Sequence, residues 1–74
     1  MTKLATPIRR QVKFDGEDPS VSYIGETNFG TATSSPTWRI FRLVYSSKSF
    51  TLQYADGDDE FNNVWDDRLT LSYS

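Results

Sequence analysis

The strongest pattern of apolar positions lies at Thr37–Tyr45, where β-branched and aromatic side chains occupy nearly every position. Side chains alternate between the two faces of a strand, so Trp38 and Ile40 lie on one face and Phe41 on the other. Apolar residues on both faces are typical of a strand that is covered on both sides. The pattern therefore predicts a central strand of a sheet, around which the other elements are arranged.

A second clear alternation follows at Ser49–Ala55, where Phe50, Leu52 and Tyr54 are separated by polar residues. A tight turn at Ser46–Lys48 connects this segment to the central strand, so the two segments are predicted to pair as an antiparallel hairpin. Because the apolar side chains of such a strand face the protein interior, we place all three of them in the core.

Weaker signals define the other elements. In chain order they are a half-buried strand ending at Phe14, a turn at Asp15–Pro19, a short strand at Ser20–Gly25, a long polar loop at Glu26–Pro36, one 3₁₀ or α turn within Phe61–Asp67, and a closing strand at Arg68–Tyr73. Connections this short favour antiparallel pairing. The sequence therefore predicts an all-β fold, a small antiparallel β-sandwich or open barrel of about five strands with one short helical turn. Its predicted core consists of Trp38, Ile40, Phe50, Leu52, Tyr54, Trp65, Leu69 and Leu71.

Residues 1–8 are predicted to form an extended N-terminal arm in front of a single β domain at 9–74. Pro7 fixes its own backbone and biases the residue before it toward extended geometry. An extended arm can add a strand to the sheet edge of a neighbouring protein. Leu4, Pro7 and Ile8 are therefore candidate contacts with a partner.

Three residues outside the arm are also candidate partner contacts. Phe29 is an isolated aromatic residue in the long loop, and it either fills the core or contacts a partner. Arg39 and Arg42 alternate with the aromatic residues of the central strand, which is the composition of a base-stacking platform for single-stranded nucleic acid. Their stems can equally cover the sheet while their charged ends pair with the acidic residues at 58–60. The net negative charge of the chain favours this second interpretation.

Composition narrows the range of possible chemistry. The 74 residues carry a net charge of −2, 15% of them are aromatic, and neither cysteine nor histidine occurs. Disulfides and thiolate metal sites are therefore excluded, together with the commonest metal ligand and the commonest general base. The aromatic content argues against a disordered chain, and no apolar run reaches the roughly 20 residues of a membrane span. The first residues contain no apolar signal region, so synthesis in a cytoplasm is expected.

Two acidic clusters remain as candidate chemical sites. The turn at Asp56–Glu60 supplies carboxylates densely enough for calcium but lacks the ligand spacing of an EF-hand, so a solvated turn is preferred and calcium stays an alternative. Asp66 and Asp67 stand beside Arg68, and paired carboxylates can also serve hydrolysis. We favour a local ion pair between Arg68 and these two carboxylates. We predict no catalytic residues, metal or cofactor.

Residues 23–74 contain a series of short motifs in a fixed order. They are Tyr23-Ile24-Gly25-Glu26, Gly30–Ser34, Trp38-Arg39-Ile40, Ala55–Asp58, Phe61, Val64–Arg68 and the final Leu71–Ser74. Their order and spacing resemble a family of small proteins of tailed bacteriophages, whose members have no assigned chemistry. Where that family has an Ala-Ala-Pro-Gly type of segment, this chain has Glu26–Gly30, which adds the aromatic Phe29. The resemblance implies a phage origin and, by extension, a component of the virion.

A chain of this length buries only about 60% of its unfolded surface, so contact with a partner is the remaining way to stabilise it. Together with the resemblance, this predicts a non-enzymatic virion protein present in many copies, either an accessory subunit of the tail and fibre attachment or a capsid decoration. Its expected partners are other virion proteins and copies of itself, with no membrane and no small-molecule substrate, and nucleic acid is disfavoured as a partner. The alternative is a small phage-encoded protein that acts in the host by binding a host protein or single-stranded nucleic acid.

Overall fold

The computed structural model describes residues 9–74, and the predicted arm at 1–8 lies outside this part of the chain. The described residues form one antiparallel sheet in which each strand pairs with its neighbours in sequence. The strands are β1 (Arg10–Asp18), β2 (Val21–Asn28), β3 (Arg39–Tyr45) and β4 (Phe50–Tyr54). A 3₁₀ turn at Trp65–Asp67 follows, and within 9–74 no helix is long and apolar enough to cross a bilayer.

The strand register aligns apolar residues across all four strands. Phe14 of β1 lies opposite Ile24 of β2, and Ile24 also lies opposite Phe41 of β3. Phe41 in turn lies opposite Tyr54 of β4. Residues opposite each other in an antiparallel pair point to the same face of the sheet, so these four side chains form one continuous row.

Residues 56–74 form a covering segment, whose Trp65, Leu71 and Tyr73 side chains pack on the other face of the sheet. Trp65, in the 3₁₀ turn, packs on Trp38 with 5.9 Å between the ring centroids, and both indoles are buried. The buried apolar cluster also includes Ile40 and Ala55, and the half-buried residues packed against it are Tyr23, Leu71 and Tyr73. The hydrophobic core formed by residues 9–74 therefore lies on one side of the sheet. We call this side the covered face.

Hydrogen bonds fix the covering segment near both of its ends. Trp38 and Asn63 exchange two backbone hydrogen bonds, of 2.9 and 3.0 Å, just before β3 begins. Near the C-terminus, Ala55 forms a β-bridge with Tyr73. The Tyr73 hydroxyl donates to the Arg68 carbonyl oxygen at 2.8 Å, and burial raises the pKa of this phenol to about 12. Tyr73 therefore stays protonated at neutral pH and keeps this bond.

The fold confirms the predicted β character, the antiparallel pairing and the single helical turn. Residues 9–74 form four strands in one open sheet, however, where the sequence predicted a sandwich or barrel of about five. The strand expected at Arg68–Tyr73 is replaced by turns up to the bridge at Tyr73. The backbone N–H and the hydroxyl of Thr70 both donate to the Asp67 carbonyl oxygen, at 2.9 Å each. Local bonding of this kind competes with a strand ladder for the same backbone groups.

The first two strands extend further than the sequence predicted. The turn expected at Asp15–Pro19 is an irregularity inside β1, where the register with β2 shifts, and the chain reverses at 19–20. The Asp-Gly pair at 15–16 therefore forms part of a bulge, in which extra residues are accommodated without ending the strand. β2 likewise continues through 26–28, which shortens the predicted loop.

The predicted core needs correction at four positions. Phe50 is 60% exposed, Leu52 44% and Leu69 67%. The apolar side chains of β4 point away from the covered face, because Leu52 pairs with Leu43 on the opposite side of the sheet. Leu69 lies in the turns that replace the last strand. Tyr54 is half-buried but lies opposite Phe41, on the side of the sheet away from the core. The other predicted core residues belong to the core cluster or pack against it, namely Trp38, Ile40, Trp65 and Leu71.

Candidate functional site

One face of the sheet carries a broad apolar surface that the described residues leave uncovered. We call it the open face, and its side chains are Val12, Phe14, Ile24, Phe41, Leu43, Tyr45, Phe50, Leu52 and Tyr54. Phe14 is 66% exposed and Val12 59%, and both lie on β1, at the edge opposite β4. Large exposed apolar patches are rare on soluble monomers and mark interaction surfaces. The open face is therefore the candidate functional site.

The alternation of the strands and the single covering segment together produce this surface. Leu43 and Leu52 lie opposite each other on the open face, whereas Trp38 lies on the covered face. Residues 56–74 bring Trp65 to the covered face. β3 is thus apolar on both sides but covered on one, although its sequence is that of a strand covered on both.

Aromatic pairs hold part of the open face in a defined arrangement. Phe41 and Tyr54 lie with their ring centroids 5.7 Å apart at an angle of 55°. Tyr45 and Phe50 lie 6.4 Å apart at 65°, and the Tyr45 hydroxyl donates to the Ser22 hydroxyl oxygen at 3.0 Å. Tilted and edge-to-face pairs of this kind contribute about 0.5–1.5 kcal/mol beyond the area they bury. These contacts favour one arrangement of the four aromatic rings in the free chain.

Charged groups on the open face are confined to one end of the sheet. Glu26 and Arg39 lie opposite each other on β2 and β3 and form an ion pair. The guanidinium groups of Arg10 and Arg39 lie over the Phe61 ring, at 5.1 and 4.9 Å from its centroid. The middle of the face and its hairpin end carry no charged side chain among the open-face residues. An apolar centre with a polar margin is the anatomy of a protein interface.

The two arginines that the sequence placed together lie on opposite faces. Arg42 points to the covered face, where its Nε donates to Gln53 Oε1 at 2.8 Å and its guanidinium lies 4.6 Å from the centroid of the Tyr73 ring. Arg39 lies on the open face and pairs with Glu26. The predicted pairing of both with the acidic residues at 58–60 is replaced by these contacts. The separation also argues against a shared platform for stacked bases, which needs cations and aromatic rings along one groove.

Arg68 pairs with a residue distant in sequence. Its Nε donates to Asp15 Oδ2 of β1 at 2.9 Å, and its guanidinium lies 4.6 Å from the Trp65 ring centroid. The predicted local pair with Asp66 and Asp67 is replaced by this contact, because the 3₁₀ turn leaves both carboxylates exposed. The backbone N–H of Glu17 and the Arg68 guanidinium lower the pKa of Asp15. The pair therefore ties the covering segment to β1 at neutral pH.

The remaining predicted sites are at the surface or beyond the described residues. Phe29 is exposed, which excludes its role as a core residue and leaves the partner contact as a prediction. The acidic turn at 56–60 is exposed, and Asp58 Oδ1 accepts a bond from the Glu60 N–H at 3.0 Å. Among residues 9–74, no three carboxylates lie close enough together to hold a metal ion. The arm residues Leu4, Pro7 and Ile8 lie outside this range.

The open face is the feature that inspection of the sequence missed. The sequence does contain a signal for it, because the strands have more apolar side chains than residues 56–74 can cover. β1 and β4 each present alternating apolar residues, such as Val12, Phe14, Phe50 and Leu52. Once Trp65 is assigned to the covered face, residues 56–74 contain no second apolar run that could cover these side chains. A comparison of the number of apolar strand faces with the number of segments that can pack on them would have indicated an uncovered face.

Comparison with family models, with curated proteins and with solved structures finds no match to this chain. The resemblance of its motifs to phage proteins therefore has no independent counterpart among them. The open face is the feature of the described residues that indicates a function, because it exposes a broad apolar patch.

Proposed function

We propose that this protein is a non-enzymatic structural subunit of a bacteriophage virion that works by packing its open face against protein. The observation that carries the proposal is the row of apolar side chains that no described part of the chain covers. The resemblance of residues 23–74 to small proteins of tailed phages supports the assignment to a virion. A multi-copy accessory subunit of the tail and fibre attachment or a capsid decoration fits both.

The energetics of a small chain support a role that depends on contact. Only four apolar residues in the described part are fully buried, namely Trp38, Ile40, Ala55 and Trp65. Burying one large apolar side chain contributes about 1.5–3 kcal/mol, and the open face offers several that are still in water. Covering this face would give the sheet a second apolar layer. The assembled state would then be far more stable than the free chain.

The chemistry of the open face favours protein over other partners. Its centre is apolar and aromatic, which suits the core of a protein interface. A nucleic acid would need cations along the surface, and the arginines present here are Arg10 and Arg39, of which Arg39 is already paired with Glu26. The net charge of −2 also disfavours a polyanion.

Incorporation of charge variants into purified phage particles tests this function. We expect mass spectrometry to find the wild-type chain in particles in many copies. Leu52→Lys places a charge on the open face and should abolish incorporation, because an unpaired ammonium would be buried in the contact. Thr51→Lys is the matched control, since Thr51 is the neighbouring exposed residue on the opposite face.

Two results would contradict the proposal. Particles that lack the wild-type chain altogether would remove the virion assignment and favour an action inside the host. Full incorporation of a folded Leu52→Lys variant would show that the open face is not the packing surface. Far-ultraviolet circular dichroism of both variants confirms that the comparison is made between folded chains.

A further inference from the structure

We propose that the partner on the open face is a second copy of this chain, so that two sheets pack face to face as a dimer with twofold symmetry. This inference rests on the proposed function, because it takes the open face to be a packing surface. It adds the identity of the partner. The building block that enters a larger assembly would then be a β-sandwich made of two chains.

The size of the surface matches what a dimer of this mass requires. The most exposed open-face residues are Val12, Phe14, Tyr45, Phe50 and Leu52. At their observed exposures each leaves on the order of 100 Å² in water, given the 150–250 Å² that an aromatic side chain can bury. Half-buried neighbours such as Ile24, Phe41 and Leu43 add to this patch. The total approaches the roughly 800 Å² per partner of a stable interface.

The architecture of a single chain is half of a sandwich. Two sheets pack with about 10 Å between them and their strands nearly aligned, which brings inward-facing side chains of both into one core. One chain supplies a single sheet with its own cover on the far side. β3 carries the two-sided apolar pattern of a strand buried on both faces, and a second copy supplies the missing layer. The twofold arrangement needs only that the same patch meets itself.

The placement of charges permits two copies to meet although each carries a net charge of −2. The centre of the open face carries no charged side chain, so no like charges would be buried there. At the charged end both signs are present, since Arg10 and Arg39 lie near Glu26. A surface with both signs is complementary to its own copy, because the carboxylate of one chain can face an arginine of the other. A strongly basic or strongly acidic partner would lack this match.

Residues 1–8 are the competing occupant within the same chain. Eight extended residues span up to about 28 Å, which is long enough to reach across a sheet of this size. Cover by the arm would be intramolecular, so it would not depend on protein concentration. Association of two chains would depend on concentration by mass action. The dependence on protein concentration therefore distinguishes cover by the arm from cover by a second chain.

Sedimentation equilibrium of the full-length chain over a range of concentrations tests the proposal. We expect the wild type and Thr51→Lys to approach twice the chain mass of 8.5 kDa as concentration rises. Leu52→Lys should associate roughly 100-fold more weakly, because each chain would bury an unpaired ammonium group in an apolar interface. Phe14→Lys, at the opposite edge of the sheet, should do the same and serves as the second variant if the first does not fold.

The other outcomes would overturn the dimer. A wild-type chain that sediments at one chain mass at every concentration excludes it. Equal association of Leu52→Lys, Phe14→Lys and Thr51→Lys places the contact elsewhere. A chain that dimerises only after residues 2–7 are deleted shows that the arm covers the face. A monomeric wild type that is nevertheless found in particles leaves the virion role intact, so failure of the dimer is distinct from failure of the proposed function.

Discussion

Replacing Trp65 with alanine should lower the free energy of unfolding by about 3–5 kcal/mol, as for other large-to-small changes at buried aromatic residues. The Trp65 indole is the largest side chain that residues 56–74 contribute to the core, and it packs on Trp38 and beneath the Arg68 guanidinium. A small domain has only about 5–15 kcal/mol of stability in total. Urea unfolding followed by circular dichroism, at one fixed protein concentration, measures the change.

Leu69→Ala is the matched control for this prediction. Leu69 belongs to the same covering segment, but its side chain is exposed. Surface substitutions of this kind change stability by about 0.5 kcal/mol or less. A similar loss for Leu69→Ala and Trp65→Ala would contradict the described packing of this segment, in which Trp65 is buried and Leu69 is exposed.

Replacing Gly25 with alanine should lower the free energy of unfolding by about 1–3 kcal/mol through overpacking. An added Cβ at this position would lie 2.4 Å from Cε3 of Trp65 and 3.2 Å from Cε3 of Trp38. Both indoles are buried and held by each other, so neither ring can move aside without displacing the covering segment. Thermal and urea unfolding at fixed concentration, with circular dichroism as the probe, give the size of the loss.

Gly16→Ala provides the contrast, because the same type of close contact is expected to cost little there. An added Cβ at Gly16 would lie 2.7 Å from Cε2 of Phe14. The Phe14 ring is exposed, so it can rotate away, and Gly16 does not have a positive φ. Where the backbone conformation suits alanine, this change can even stabilise by about 0.4–1 kcal/mol. Equal destabilisation at both glycines would contradict the rigid packing described for Trp65.

Local patterns in the sequence predict the strands well because they depend on neighbouring residues alone. The alternation of β4 and the two-sided apolar pattern of β3 require no knowledge of the fold, and the hairpin between them is found as predicted. The 3₁₀ turn at Trp65–Asp67 lies within the range 61–67 in which one helical turn was predicted. The bulge at 15–16 is one exception, since Asp-Gly suits a turn and a bulge equally. The predicted strand at 68–73 is another, because Thr70 bonds locally to Asp67.

The choice of covered face could not be predicted in this way because it depends on contacts between distant segments. The pattern of β4 shows that Phe50 and Leu52 share a face, but not which face residues 56–74 will cover. The covered face is the one on which Trp65 packs beside Gly25, because a side chain at position 25 would occupy the space of the indole. Arg68 illustrates the same limit, since its partner Asp15 lies 53 residues away, whereas Asp66 and Asp67 are its neighbours in sequence.

The open face results from both the predictable strand pattern and the choice of covered face that could not be predicted. A strand with apolar residues on both faces predicts two layers of cover, and the described chain provides one. The proposed dimer would account for the difference between the predicted sandwich and the single sheet of residues 9–74. In that dimer a second copy would supply the layer that the pattern of β3 predicts.

Labelling of single thiols at adjacent positions of β4 tests the central claim that a partner chain covers the open face. The natural chain has no cysteine, so Leu52→Cys and Thr51→Cys each carry one thiol, on the open and the covered side of the same exposed strand. We expect the labelling rate at position 52 to fall as protein concentration rises, while the rate at position 51 stays constant. Equal and concentration-independent rates at both positions, in chains that remain folded, would contradict the claim.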